Sequence, residues 1–314
     1  MVEFRTKDLV AFIKARHDVF LRREAGKKKP WTKDPILQNY RFCNVYRELD
    51  SVTIWIRQNI TEKYADQRNY DLWFQFVLAR LLNLPASLAV AGYIAFAYDQ
   101  RVDGLTGAQR LIKNLHALKA SGSNVFNGAY IVSTNGQAMD KVEYIANKVL
   151  TPLWKSRDEM RPHPREQLRD FYGRLVSANG MGTFMAAQVC ADLKFAWPSE
   201  EAWIAGGPPY KRGFTWGTNK RVWPEDFWSF AASGPGSRRG LNRVLQLQTE
   251  DPWKESQWLG ALEILHQGVA PAIKKLGMPR LSAQDLQNCL CEFDKYERVR
   301  LGEGVPKQRY EGVK

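Results

Sequence analysis

Four stretches of this sequence gather residue types able to act on a phosphorylated ligand. Asn44, Arg47, Glu48 and Ser51 recur at i, i+3, i+4 and i+7, so a helix over residues 41–56 would present an amide, a cation and a carboxylate on one face. The same pattern also suits an exposed face with local ion pairs. Residues 233–240 form a glycine-rich helix start, and its Ser237, Arg238 and Arg239 are suited to a pyrophosphate or phosphodiester. In residues 205–216 cations alternate with rings: Tyr210 or Phe214 could stack on an extruded base while Lys211 and Arg212 hold phosphates. Lys27, Lys28 and Lys29 precede Pro30 and Trp31 in a helix-breaking loop that could follow a phosphate backbone, or simply be solvated.

The elements that position these groups read as helices arranged about residues 172–195. There the first helical pattern ends near Ala178, where Asn179 and Gly180 tolerate the left-handed conformation of a helix C-terminus. Gly182 opens the second helix, with Phe184, Ala187 or Gln188, and Cys190 or Ala191 at helical spacing. A helix-hairpin-helix turns the backbone N–H groups of Gly180, Gly182 and Thr183 outward, toward a nucleic-acid phosphate. An ordinary turn between core helices has the same local pattern. Other helices are expected over 4–23, 70–82 and 86–98, and a short strand at 130–133. The expected architecture is mainly α. We read one helical domain over residues 1–314 with two lobes, 1–160 and 161–314.

Composition narrows the function. The chain has 314 residues, of which 44% are hydrophobic, so it can bury a sizeable core. Its net charge of +13 points to a polyanionic partner, and nucleic acid is favoured over a membrane surface. The longest apolar run, 84–98, contains Pro85 and falls short of the ~20 residues a spanning helix needs. With no secretion signal at its start, the chain is expected in the cytoplasm, as a monomer. Cys43, Cys190, Cys289 and Cys291 lack the spacing of a zinc or redox motif, and the four histidines are dispersed. Neither a metal nor a cofactor is expected. No P-loop is present, so nucleotide kinase activity is not expected of this chain alone.

Residues 41–50 (RFCNVYRELD), 124–132 (NVFNGAYIV), 180–193 (GMGTFMAAQVCADL), 233–241 (SGPGSRRGL) and 290–299 (LCEFDKYERV) together resemble the alpha-glutamyl/putrescinyl thymine pyrophosphorylase family. These phage-associated proteins hypermodify DNA bases, and their helical fold is related to that of helix-hairpin-helix DNA glycosylases. The resemblance runs from about residue 31 to 310. It implies that an amino acid or amine displaces pyrophosphate from a pyrophosphorylated 5-hydroxymethyluracil in duplex DNA, after a separate DNA kinase has acted. On that reading Arg47, Arg238 and Arg239 would face the leaving group, and Glu48, Asp50 or Asp192 would deprotonate the amine. Asn44, Gln188, Tyr210 and Phe214 would line the pocket for a flipped base. In a host cell the expected location is the cytoplasm.

Two rivals remain at this stage. A lyase-type glycosylase would carry a lysine just after the second hairpin glycine, where this chain has Thr183 and Phe184. Its catalytic aspartate would lie downstream of the hairpin, where only Asp192, too early, or Glu200 and Glu201 are available, and the four-cysteine iron–sulfur loop is missing. The second rival is non-catalytic, because the same helical domain accompanies 5-hydroxymethyluracil DNA kinases and could serve only to bind DNA. A buried constellation of Asn44, Arg47, Glu48 and Asp192 would favour catalysis.

Overall fold

A computed structural model describes residues 5–64, 71–95, 98–128, 132–163, 165–196, 224–306 and 309. It is mainly α, with 62% helix. Among the described residues there is no strand, only isolated bridges such as that between Tyr40 and Arg309, and the expected strand at 130–133 falls partly outside them. No described helix is long and apolar enough to cross a membrane.

The chain forms two compact units, but the division does not fall near residue 160. The first unit combines residues 1–50 with 228–314, and the second comprises 51–227. The physical reason is the core of the first unit. Leu9, Phe12 and Ile13 of the N-terminal helix (Thr6–Glu24) share a cluster with Leu241, Trp258, Leu262, Leu286 and Phe293, from helices Pro235–Leu245, Glu255–Lys275 and Ala283–Arg300. Each large side chain so buried stabilises by about 1.5–3 kcal/mol, which outweighs sequence proximity.

Helices Pro235–Leu245 and Ala283–Arg300 pack closely because glycine lets them. A Cβ at Gly240 would overlap the carbonyl of Leu290, and one at Gly236 would overlap the Cys291 thiol. Asp294, only 1% exposed, then accepts Arg239 Nε at 3.0 Å and Arg243 Nε at 2.8 Å.

Residues 40–46 are not helical, contrary to the periodicity. They are followed by a single 3-10 turn, Arg47–Leu49, and helix begins at Ser51. Side chains distant in sequence have taken the backbone. Cys43 N donates to Glu292 (2.9 Å), Arg47 N donates to Asp285 (3.2 Å), and Asn288 Nδ2 donates to the Asn44 carbonyl (3.0 Å). Locally, Asn44 N donates to Asp50 (3.1 Å) and Asn44 Nδ2 to the Leu49 carbonyl (2.7 Å). Such side-chain bonds compete directly with the helical ladder.

In the second unit, helix Leu72–Leu82 is the centre, with all eleven residues buried. It ends at Asn83, whose φ of 47° is left-handed. Arg80 lies inside this apolar helix and needs compensation, which Asp192 provides through two hydrogen bonds of 2.6 and 2.5 Å. Asn83 and Thr53 take further guanidinium N–H groups. Two π-helical turns, Arg57–Thr61 and Ile145–Leu150, interrupt the α-helical pattern.

Candidate nucleic-acid interface

The hairpin lies within the second unit. Its first helix is Leu168–Ser177 and its second Gly182–Leu193. Asp226 starts the first helix by accepting Leu168 N at 2.8 Å and Arg169 N at 3.1 Å. Ala178 then turns extended, Gly180 takes φ +78° and Gly182 φ +57°, while Met181 between them is buried as the plug of the turn. Asn179 does not take the left-handed conformation. Its amide instead donates to the Lys148 carbonyl at 2.8 Å, on the π-helical turn. A Cβ at Gly180 would come within 2.5 Å of Val149, so this glycine is required by contact as well as by φ.

Behind the turn, the second helix buries Met185, Ala186, Gln188, Val189 and Asp192. Its stripe is shifted from the expected one, leaving Phe184 53% exposed. Gly182, Thr183 and Phe184 therefore form an exposed first turn. The first amides of an α-helix have no partner within it, and the peptide dipoles add positive potential there. That end suits an anion. The opposite end of the helix is fixed by Asp192 and Arg80, each with a side chain 2% exposed.

The other expected site residues are dispersed. Asp192 belongs to this ion pair, and Gln188 is buried at 7% in the same helix. Asn44, Arg47, Glu48 and Asp50 belong to the first unit, so the constellation expected of Asn44, Arg47, Glu48 and Asp192 divides between the two units. Asn44 accepts Arg16 Nη2 at 2.7 Å, and Glu48 is buried. Desolvation raises the Asp50 carboxyl above its ordinary range, against the pull of Arg47. The neighbouring Glu292 carboxylate pushes the exposed Cys43 thiol well up. The Ser237 hydroxyl bonds both backbone groups of Gly234 as a helix cap, and Arg238 pairs with Glu255 at 3.0 Å. Thus the helix start at 233–240, expected to hold a pyrophosphate, is occupied by packing, capping and ion pairs.

Lys27, Lys28 and Lys29 are all exposed. They follow a helix end closed by Gly26 (φ +67°), and the Trp31 indole donates to the Lys27 carbonyl at 2.6 Å. Tyr210, Lys211, Arg212 and Phe214 lie outside the described residues. Sequence reading missed Arg16, the reach of the helix-capping Asp285 to Arg47 N, and Asn288. Asp285 and Asn288, with Glu292, stand at i, i+3 and i+7 on Ala283–Arg300, a polar stripe that signalled contact with another segment.

Compared with known proteins, residues 3–215 and 219–305 match the family described as 5-hmdU DNA kinase, helical domain. A 5-hmdU DNA kinase of Bacillus phage SP10 is 26% identical over 250 residues, covering 74% of this chain and 34% of that protein. The chain spans about a third of the length of this relative. No solved structure matches. These findings correct two expectations. The likeness is to the helical domain of a kinase rather than specifically to thymine pyrophosphorylases, which leaves the phage thymine-modification context as the part upheld. Because the relative is a kinase and the matched part its helical domain, assignment of this chain as an amine transferase releasing pyrophosphate is overturned.

Proposed function

Since the chain belongs to the family of 5-hmdU DNA kinase helical domains, we propose that it is the DNA-binding helical part of a system that phosphorylates 5-hydroxymethyluracil in duplex DNA. The observation that carries this reading is the hairpin: an exposed first turn at Gly182 and Thr183, held by a turn that Gly180 and Asn179 lock in place. Backbone amides contact phosphate without reading a base. The domain therefore supplies affinity and orientation, while phosphoryl transfer belongs to a kinase part. The charge of +13 and the exposed lysines 27–29 support a polyanionic partner.

The test is titration of the full chain against duplexes containing thymine or 5-hydroxymethyluracil across a range of salt. Binding with weak sequence dependence and a steep fall in affinity with salt is expected. Thr183→Asp, which places a carboxylate on the phosphate path, should weaken it by at least tenfold. Salt-insensitive binding, or an unaffected Thr183→Asp variant, would refute the reading.

A further inference from the structure

The hairpin does not stand alone. Its turn rests on the π-helical turn Ile145–Leu150 through the Asn179–Lys148 carbonyl bond and the close approach of Gly180 to Val149. A π-turn carries an extra residue and leaves carbonyls outside the regular i→i+4 ladder, and such turns are frequent at functional sites. Here the Lys148 carbonyl is used to orient the hairpin. The Asn147 and Lys148 side chains are exposed, and the Lys148 ammonium makes no ion pair among the described residues. The residue whose backbone carbonyl orients the hairpin thus carries an exposed ammonium with no ion pair among the described residues.

We infer that the π-turn is the second half of the hairpin's contact surface, with Lys148 binding a duplex phosphate beside the one held at Gly182 and Thr183. The inference rests on the DNA-binding reading and extends it to residues outside the hairpin motif. Its logic is geometric. Backbone amides at a helix start hold one phosphate but leave the duplex free to pivot about it. A lysine anchored to the same turn supplies a second point and so sets the direction of the backbone.

The experiment compares Lys148→Ala, Lys148→Arg and Thr183→Asp with Lys274→Ala, a charge-matched control at an exposed position of the first unit. Binding to a plain duplex is followed by fluorescence anisotropy from about 0.05 to 0.3 M salt. Lys148→Ala should weaken binding roughly five- to tenfold near 0.1 M salt and lower the salt slope by about one, equally for thymine and 5-hydroxymethyluracil duplexes. Lys148→Arg should restore both, and Lys274→Ala should change neither. If Thr183→Asp abolishes binding while Lys148→Ala behaves like Lys274→Ala, the inference fails and the DNA-binding reading stands. Should Thr183→Asp also be without effect, both fall together.

Discussion

Two helix starts in this protein look alike in sequence and are used in opposite ways. Residues 180–183 and 234–240 both place glycines in or near the opening of a helix, and the sequence pattern of each suits an anion. At the hairpin the glycines bend the backbone into positive φ and leave Gly182 and Thr183 exposed. In helix Pro235–Leu245, Gly236 and Gly240 instead remove side chains so that a neighbouring helix can approach. Each helix is also tied down by a buried carboxylate, Asp192 to Arg80 and Asp294 to Arg239 and Arg243. A glycine-rich start is therefore not by itself a phosphate site. What decides is whether the freed surface faces solvent or another helix.

The difference can be broken most severely at its anchors. Asp192→Ala leaves the Arg80 guanidinium buried without its counter-charge and should cost about 3–5 kcal/mol, measured by chemical denaturation. The double variant Arg80→Met with Asp192→Leu should recover most of that loss, because an apolar pair avoids the desolvation penalty. A double variant as unstable as the single one would contradict this account of the ion pair.

Next in size is Gly240→Val, which forces a side chain into the Leu290 backbone and should cost about 3 kcal/mol. DNA affinity of the folded fraction should be unchanged, since Gly240 lies within the helix and against another helix. Gly180→Ala should cost less, about 2 kcal/mol, from left-handed strain and contact with Val149, yet it should weaken DNA binding measurably. The pair of outcomes is diagnostic: stability falls more at Gly240, affinity only at Gly180. Equal loss of affinity in both would merge the two helix starts into one class.

The smallest expected effect is at Arg238. Its ion pair with Glu255 is well exposed, so Arg238→Ala should change stability by less than about 1 kcal/mol in thermal melts. Duplex affinity should stay within about twofold. A large loss of affinity would restore an anion-binding role to residues 233–240.

Periodicity and turn chemistry in the sequence determined the mainly helical architecture, the left-handed turn at Gly180 and the start of the second hairpin helix at Gly182. These depend on interactions within a few residues, which spacing records. Tertiary structure alone decided that residues 40–46 are not helical, although Phe42, Val45 and Leu49 repeat at helical period. Backbone groups of Cys43, Asn44 and Arg47 bond Glu292, Asn288 and Asp285, some 240 residues away, and no local pattern contains those partners. The same holds for the division of the chain. The apolar faces of the N-terminal and C-terminal helices are legible one by one, but burial is non-directional, so only packing determined that Leu9, Phe12 and Ile13 meet Trp258 and Phe293 in one core.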